Sequence, residues 1–320
     1  MTAEAAIPKI DTTYAPAAAK SQPMWRETLK YLLRNRSAQI GIVLITFVAF
    51  IAIAAPVIAP YDPLQPMLDR EDHRGFGRLP GRAPCIRLLG CTDEAPEHIM
   101  GLDLNGRDMF SRVLYGAQYS LFSGILAVML GIISGSLVGM ISAYAGGWTD
   151  NILMRLMDIL LAFPALILAI AIVSFAGPSL QNALVAVAIV SIPIYARLAR
   201  ASVLSVKEME YVTANRALGA SHRRMLFIQI MPNSLTPLIV QGTLDIGTVV
   251  LTMAALAFIG LGAQPPQPEW GAILSEGRGY VFTSPHLVFF PGLAIMITVL
   301  GFNLLGDGLR DALDPRLNRV

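Results

Sequence analysis

Charge is what this sequence has least of. Asp, Glu, Lys and Arg supply 14% of its 320 residues, where soluble domains carry roughly 25%. A chain so poor in charge cannot cover a water-facing surface of its own size. Lysine is the scarcest charge. Only Lys9, Lys20, Lys30 and Lys207 occur, and none follows a glycine, so no GxxxxGK[ST] loop is there to cradle nucleotide phosphates. Cys85 and Cys91 lie in one polar loop at a spacing that fits neither a zinc site nor a CxxC redox motif. His73, His98, His222 and His286 are scattered, and HExxH and GxSxG are both missing. These absences leave no enzyme chemistry to assign and no nucleotide site.

What the sequence does have is apolar length. Six runs, at 38–59, 120–144, 157–176, 180–197, 235–262 and 287–307, are each long enough to cross roughly 30 Å of hydrocarbon as a helix. Gly177-Pro178-Ser179 marks a tight hairpin between the third and fourth. Residues 1–22 are Ala-rich and polar, without the apolar core of a signal peptide, and read as a disordered tail. Residues 23–37 alternate apolar and basic side chains at helical spacing. Trp25, Leu29, Leu32 and Leu33 share a face, which predicts an amphipathic helix on the membrane surface. The expected architecture is an all-α integral membrane protein of six spans behind that interfacial helix.

Orientation follows from the basic residues. Arg26, Lys30, Arg34 and Arg36 flank the first run, and Arg197, Arg200, Lys207, Arg216, Arg223 and Arg224 fill the connection 198–233 and its entry. Arg310, Arg316 and Arg319 follow the last run. With six spans all three groups share one side, so both termini are expected in the cytoplasm. The loop 60–119 then lies outside. Its seven arginines oppose the rule only weakly, because long loops are largely exempt. In an oxidising compartment Cys85 and Cys91 suit a disulfide and two free thiols equally well.

Three features stand out inside this frame, the first of them a matter of helix packing. Gly131, Gly135 and Gly139 form a small-residue stripe that lets another helix approach closely. Asp245, within the fifth run, is the single ionisable residue inside a span. A carboxylate there faces a bundle interior or a water-filled cavity. It either lines a translocation path, where it can pair with a cationic group such as a peptide amino terminus, or makes a structural hydrogen bond to a neighbouring helix. The connection 198–233 carries the most information. Tyr211-Val212-Thr213-Ala214-Asn215-Arg216-Ala217-Leu218 reads as a short helix, Gly219 stops it, and Ala220-Ser221 opens another turn. Pro232 then marks the entry to the fifth run. A helix–Gly–helix elbow is a rigid knob, which is what a membrane protein needs to receive force from a soluble motor.

Those residues resemble a known family. Ala214-Asn215, Gly219 and Met231-Pro232 are similar to the EAA–G–LP loop of ABC importer permeases, with Thr213, Asn215 and Gln229 departing from the usual residues. Residues 101–121 (GLDLNGRDMFSRVLYGAQYSL), 161–170 (LAFPALILAI), 258–274 (FIGLGAQPPQPEWGAIL) and 301–317 (GFNLLGDGLRDALDPRL) resemble the second permease of dipeptide, oligopeptide and nickel importers. The likeness implies the type I ABC importer permease fold in a bacterial or archaeal cytoplasmic membrane. It also implies four kinds of partner: a second permease, two ATPase subunits, an external solute-binding protein and the bilayer, with no nucleic acid. ATP and Mg would be bound by the ATPases, leaving this chain without a cofactor and without catalysis. Tyr211 to Ser221 would be the coupling segment that docks on an ATPase. Pro265-Pro266-Gln267-Pro268 with Trp270 reads as a rigid outer turn carrying an interfacial aromatic. The competing reading is an ATP-independent transporter or channel, which usually shows inverted repeats. No convincing repeat relates the two halves of this chain.

Overall fold

The computed structural model describes residues 31–67, 81–86, 91 and 97–313. The expected tail 1–22 and most of the expected interfacial helix 23–37 lie outside the described residues, as do 314–320. Among the described residues the elements are helical. In chain order they are α1 (Arg36–Ile58), α2 (Met109–Ala145), α3 (Gly147–Leu161), α4 (Ala165–Ala176), α5 (Leu180–Lys207) and α6 (Glu210–Ala217). Then come α7 (His222–Arg224), a π-helical turn (Met225–Ile230), α8 (Met231–Ser234), α9 (Thr236–Phe258), α10 (Trp270–Gly277) and α11 (His286–Leu313).

Five of these helices, α1, α2, α5, α9 and α11, are long and apolar enough to cross a membrane. The sixth apolar crossing is not a straight helix. α3 and α4 bend by 89° at a short break that contains Pro164, and only together do they make a span. The run 157–176 was continuous in hydropathy. Proline, which lacks an N–H and clashes with the preceding turn, breaks it nonetheless.

α2 also departs from expectation. It begins at Met109, well inside the segment read as loop 60–119, and runs for 37 residues, about 55 Å. That is longer than the roughly 30 Å of hydrocarbon it has to cross. The start is set by Asp108, whose carboxylate accepts from Ser111 N at 2.8 Å. Arg107 and Asp108 do not pair with one another. Asp108 Oδ1 meets His98 Nδ1 at 2.8 Å, while Arg107 reaches Asp103 at 2.6 Å and Glu276 at 2.9 Å.

The bundle is held by close backbone approach, as expected in lipid, where apolar burial does not drive helices together. The glycine stripe of α2 faces α5: a methyl group on Gly135 would sit 2.6 Å from Ile192 O and from Tyr195 Cβ. α1 lies against α11, and Asn35 both caps α1 and donates from Nδ2 to Asp311 at 3.1 Å. The start of α1 and the end of α11 therefore share one end of the bundle with the α2–α3 corner and the α5–α9 connection.

The other end is closed by the strap between α9 and α11. Trp270, expected as an interfacial aromatic, is instead buried at 2% exposure and donates its indole N–H to Val113 O at 2.9 Å. Space for it is left by Gly116, where an added Cβ would lie 2.5 Å from the indole ring. Cys85 and Cys91 form a disulfide in the loop at this end.

Candidate functional site

The elbow between α5 and α9 is built on a short amphipathic helix. α6 carries Glu210 in its first turn and Arg216 in its last, which matches the helix dipole at both ends. It ends in a Schellman motif. Gly219 N–H donates to Arg216 O at 3.0 Å and Ala220 N–H to Asn215 O at 3.1 Å, with Gly219 at φ +80°. Ser221 then caps the next turn, its hydroxyl accepting from Arg224 N at 3.4 Å.

The expected coupling residues 211–221 divide by what they touch. Val212 is fully buried and packs with Met140, Val203, Val206, Met225 and Ile230. Tyr211 donates its hydroxyl to Gln229 O at 3.1 Å and accepts from Asn233 Nδ2 at 3.0 Å. Asn215 donates back to Tyr211 O at 2.8 Å. Tyr211 and Val212 hold the elbow to its neighbours, Asn215 bonds within its own helix, and Ala220 packs partly buried beside them. Thr213, Ala214, Arg216, Ala217, Leu218, Gly219 and Ser221 are exposed, Leu218 at 85%. Nothing lies within 4 Å of where a Cβ on Gly219 would sit. The elbow thus presents an apolar tip on a braced base.

Two braces were not anticipated. Tyr144 OH and His222 Nδ1 are 2.7 Å apart, and Lys207 Nζ donates to Ala143 O at 3.3 Å. The first joins the turn that follows Ser221 to the end of α2, and the second ties the last residue of α5 to it. Beside them Arg200 makes two hydrogen bonds to Asp150, each 2.6 Å, and Arg197 pairs with Asp158 at 2.6 Å, tying α5 to α3.

Asp245 lies on α9 and faces α5. Its Oδ2 accepts from Tyr195 OH at 2.7 Å and its Oδ1 from Gln241 Nε2 at 2.9 Å. Tyr195 is wholly buried, and Asp245 is partly buried. The carboxylate is therefore bonded to a neighbouring helix. Together with Ser191, Thr248 and Thr252 it also lines a cavity of about 110 Å³. Gln241 was legible as an i, i+4 partner; Tyr195, fifty residues away, was not. A larger groove of about 770 Å³ opens between α4, α9 and α11, walled by apolar side chains such as Leu251, Phe258, Ile259 and Met296. Among the described residues no group of His, Cys, Asp and Glu is arranged to hold a metal.

Residues 127–319, which include the elbow and Asp245, match the family described as binding-protein-dependent transport system inner membrane component. This chain belongs to that family. As such it is a multi-pass permease subunit of an ABC importer. Residues 23–79 match the N-terminal transmembrane domain of oligopeptide transport permease C. The permease is 46% identical to the dipeptide transport system permease protein DppC of Alkalihalophilus pseudofirmus, over 92% of this chain and 90% of that one. It is 47% identical to DppC of Haemophilus influenzae, over 90% and 94%. With the glutathione transport system permease protein GsiD of Pectobacterium atrosepticum it shares 42% identity over 92% and 91%. Its fold is that of the permease in inward-facing structures of the MetNI methionine ABC transporter, with a TM-score of 0.53 at 20% identity, covering 64% of this chain and 98% of that one.

Proposed function

We propose that this permease forms half of the pathway through which a bacterial importer carries dipeptides or other small peptides. ATPase motion enters through the elbow Tyr211–Ser221. The observation that carries the coupling role is the division of the elbow: Val212 is buried and Tyr211 is bonded to Gln229 and Asn233, while Leu218 stands exposed on a glycine-terminated helix. A knob of that shape suits a groove on a soluble subunit, and its braces to α2 and α5 give the push a path to the spans. The substrate class rests on the names of the relatives, two dipeptide permeases and a glutathione permease.

In this reading the elbow end and both termini are cytoplasmic. Two ATPase subunits bind below and hold ATP and Mg, and the permease itself carries no cofactor and catalyses nothing. A second permease packs against the open apolar groove of α4, α9 and α11, completing the path. A solute-binding protein delivers peptide at the opposite end, where Phe282 is fully exposed. Asp245 lies beside the path and meets the cationic end of a peptide when the two permeases part. An ATP-independent transporter needs no such elbow.

The test is to tag the chain, solubilise it mildly from its native membrane and identify its companions by mass spectrometry. Two ATPases with phosphate-binding loops and a second six-span chain are expected. Recovery of the chain alone, under conditions that keep related complexes whole, would overturn the proposal.

A further inference from the structure

A second polar cavity lies far from the elbow and from Asp245. It encloses about 470 Å³ where α1 ends and α2 begins, and its walls come from three parts of the chain. Pro60, Tyr61 and Asp62 follow α1, Tyr115 and Tyr119 stand one turn apart on α2, and Pro268 comes from the strap. We propose that this cavity binds the head group of an ammonium-bearing phospholipid, whose acyl chain lies along α2.

Its chemistry selects a cation. Among the described residues three tyrosines and one carboxylate line it, and no Lys, Arg or His does so. Aromatic faces attract ammonium groups through the ring quadrupole, and a carboxylate adds charge complementarity. Asp62 is held in place: its Oδ1 accepts from Leu64 N at 2.8 Å. Its other oxygen has no hydrogen-bond partner among the described residues and remains for a ligand. Tyr61 is anchored through its backbone N–H, which donates to Ser111 Oγ at 3.3 Å. The prolines stiffen the turn that carries both residues. The hydroxyls of Tyr115 and Tyr119 supply donors for phosphate oxygens, so a zwitterion is served better than either charge alone.

The neighbourhood selects a lipid over a free amine. The face of α2 that carries Tyr115 and Tyr119 continues as Phe122, Met129 and Ile133, exposed at 68%, 51% and 54%. From Tyr119 to Met129 the helix rises about 15 Å, half of a hydrocarbon core of roughly 30 Å. A head group seated among the tyrosines therefore leaves its chain against an apolar stripe one leaflet long. A soluble amine would leave that stripe unused.

The experiment uses the intact importer complex, stripped of lipid by detergent exchange and offered equal amounts of phosphatidylethanolamine and phosphatidylglycerol. Retained lipid is counted by native mass spectrometry. Retention of the ethanolamine lipid should exceed that of the glycerol lipid about tenfold, and Asp62→Asn, which keeps the bond from Leu64 N, should remove most of that preference. Equal retention of the two lipids by the unaltered complex overturns the proposal, as does an undiminished preference in Asp62→Asn. Displacement of the lipid by millimolar free ethanolamine would also overturn it, by assigning the cavity to soluble amines. Should Asp62→Asn fail to assemble, the competition on the unaltered complex decides alone.

Discussion

The two ends of the bundle solve opposite problems with similar residues. At the end where α2 begins, charge is buried and shared. Arg112, with no exposed surface, lies 3.4 Å from Asp103 and 3.1 Å from Glu276, and Arg107 reaches the same two carboxylates. His98 and Asp108 pair at 1% exposure, and Glu269 is buried under α10. At the elbow end the ion pair of Arg197 with Asp158 is about half exposed, and an apolar residue, Leu218, takes the most exposed position of the elbow. Buried pairs of this kind add little net stability, but they punish any rearrangement that separates them. Surface pairs cost little to break. One end is therefore welded and the other is open to a partner, the arrangement expected if force enters at the elbow and the far end holds α2, the strap and α11 in register.

The largest effect is expected at Arg112. Arg112→Ala leaves buried Asp103 and partly buried Glu276 with one cation between them, which should cost about 3–5 kcal/mol and empty the membrane of folded chain. Thermal unfolding in detergent measures this, with Arg197→Ala at the elbow end as the contrast, expected to change stability by less than about 1 kcal/mol. Equal losses at the two sites would remove the distinction.

Gly219→Trp sharpens the contrast. Nothing in this chain crowds the position, so the fold should lose only the cost of a left-handed residue, about 1–2 kcal/mol. Uptake should nonetheless fall severely, because the indole blocks docking. Peptide uptake measured beside thermal stability separates the two effects, and normal uptake would count against the lever.

Glu269 makes the welded end respond to pH. Burial pushes its carboxyl above the usual range, against lowering hydrogen bonds from Gly271 N, Ala272 N and Ser120. The folded state thus holds the proton more tightly than the unfolded one. Its stabilising contribution is complete below the ordinary carboxylate pKa and is lost as pH rises through the raised value. Unfolding temperature should fall across that window, and Glu269→Gln, which still accepts from Ala272 N, should flatten the profile.

The smallest expected effect is at Tyr195→Phe. Loss of its bond to Asp245 should cost about 0.6 kcal/mol, the average for interhelical hydrogen bonds in membranes. If Asp245 lines the path, Asp245→Asn should change which peptides are taken up while stability barely moves; transport assays with charged and blocked amino termini distinguish this from a purely structural bond.

The spans were legible because lipid demands long apolar helices, and the turn at Gly219 because only glycine sits easily at a positive φ. What stayed hidden was set by partners distant in sequence. The break at Pro164 interrupts a run that hydropathy alone reads as continuous. The first turns of α2 carry Arg112 and Ser111, polar enough to pass for loop, and become helix because Asp108 caps them and Glu276, far along the chain, takes up the charge. Trp270 looked interfacial because tryptophan prefers that place, yet Gly116 leaves a slot that buries it. The elbow residues 211–221 read as one surface; the inward commitment of Tyr211 and Val212 appears only once the π-helical turn folds over them.

The most direct test of the account places a photo-crosslinking residue at Leu218 and, separately, at Phe282 in the intact importer. Position 218 should capture an ATPase subunit, with a yield that changes when ATP is hydrolysed, and position 282 should not. Capture of an ATPase from Phe282, or of none from Leu218 in a complex that still hydrolyses ATP, would contradict it.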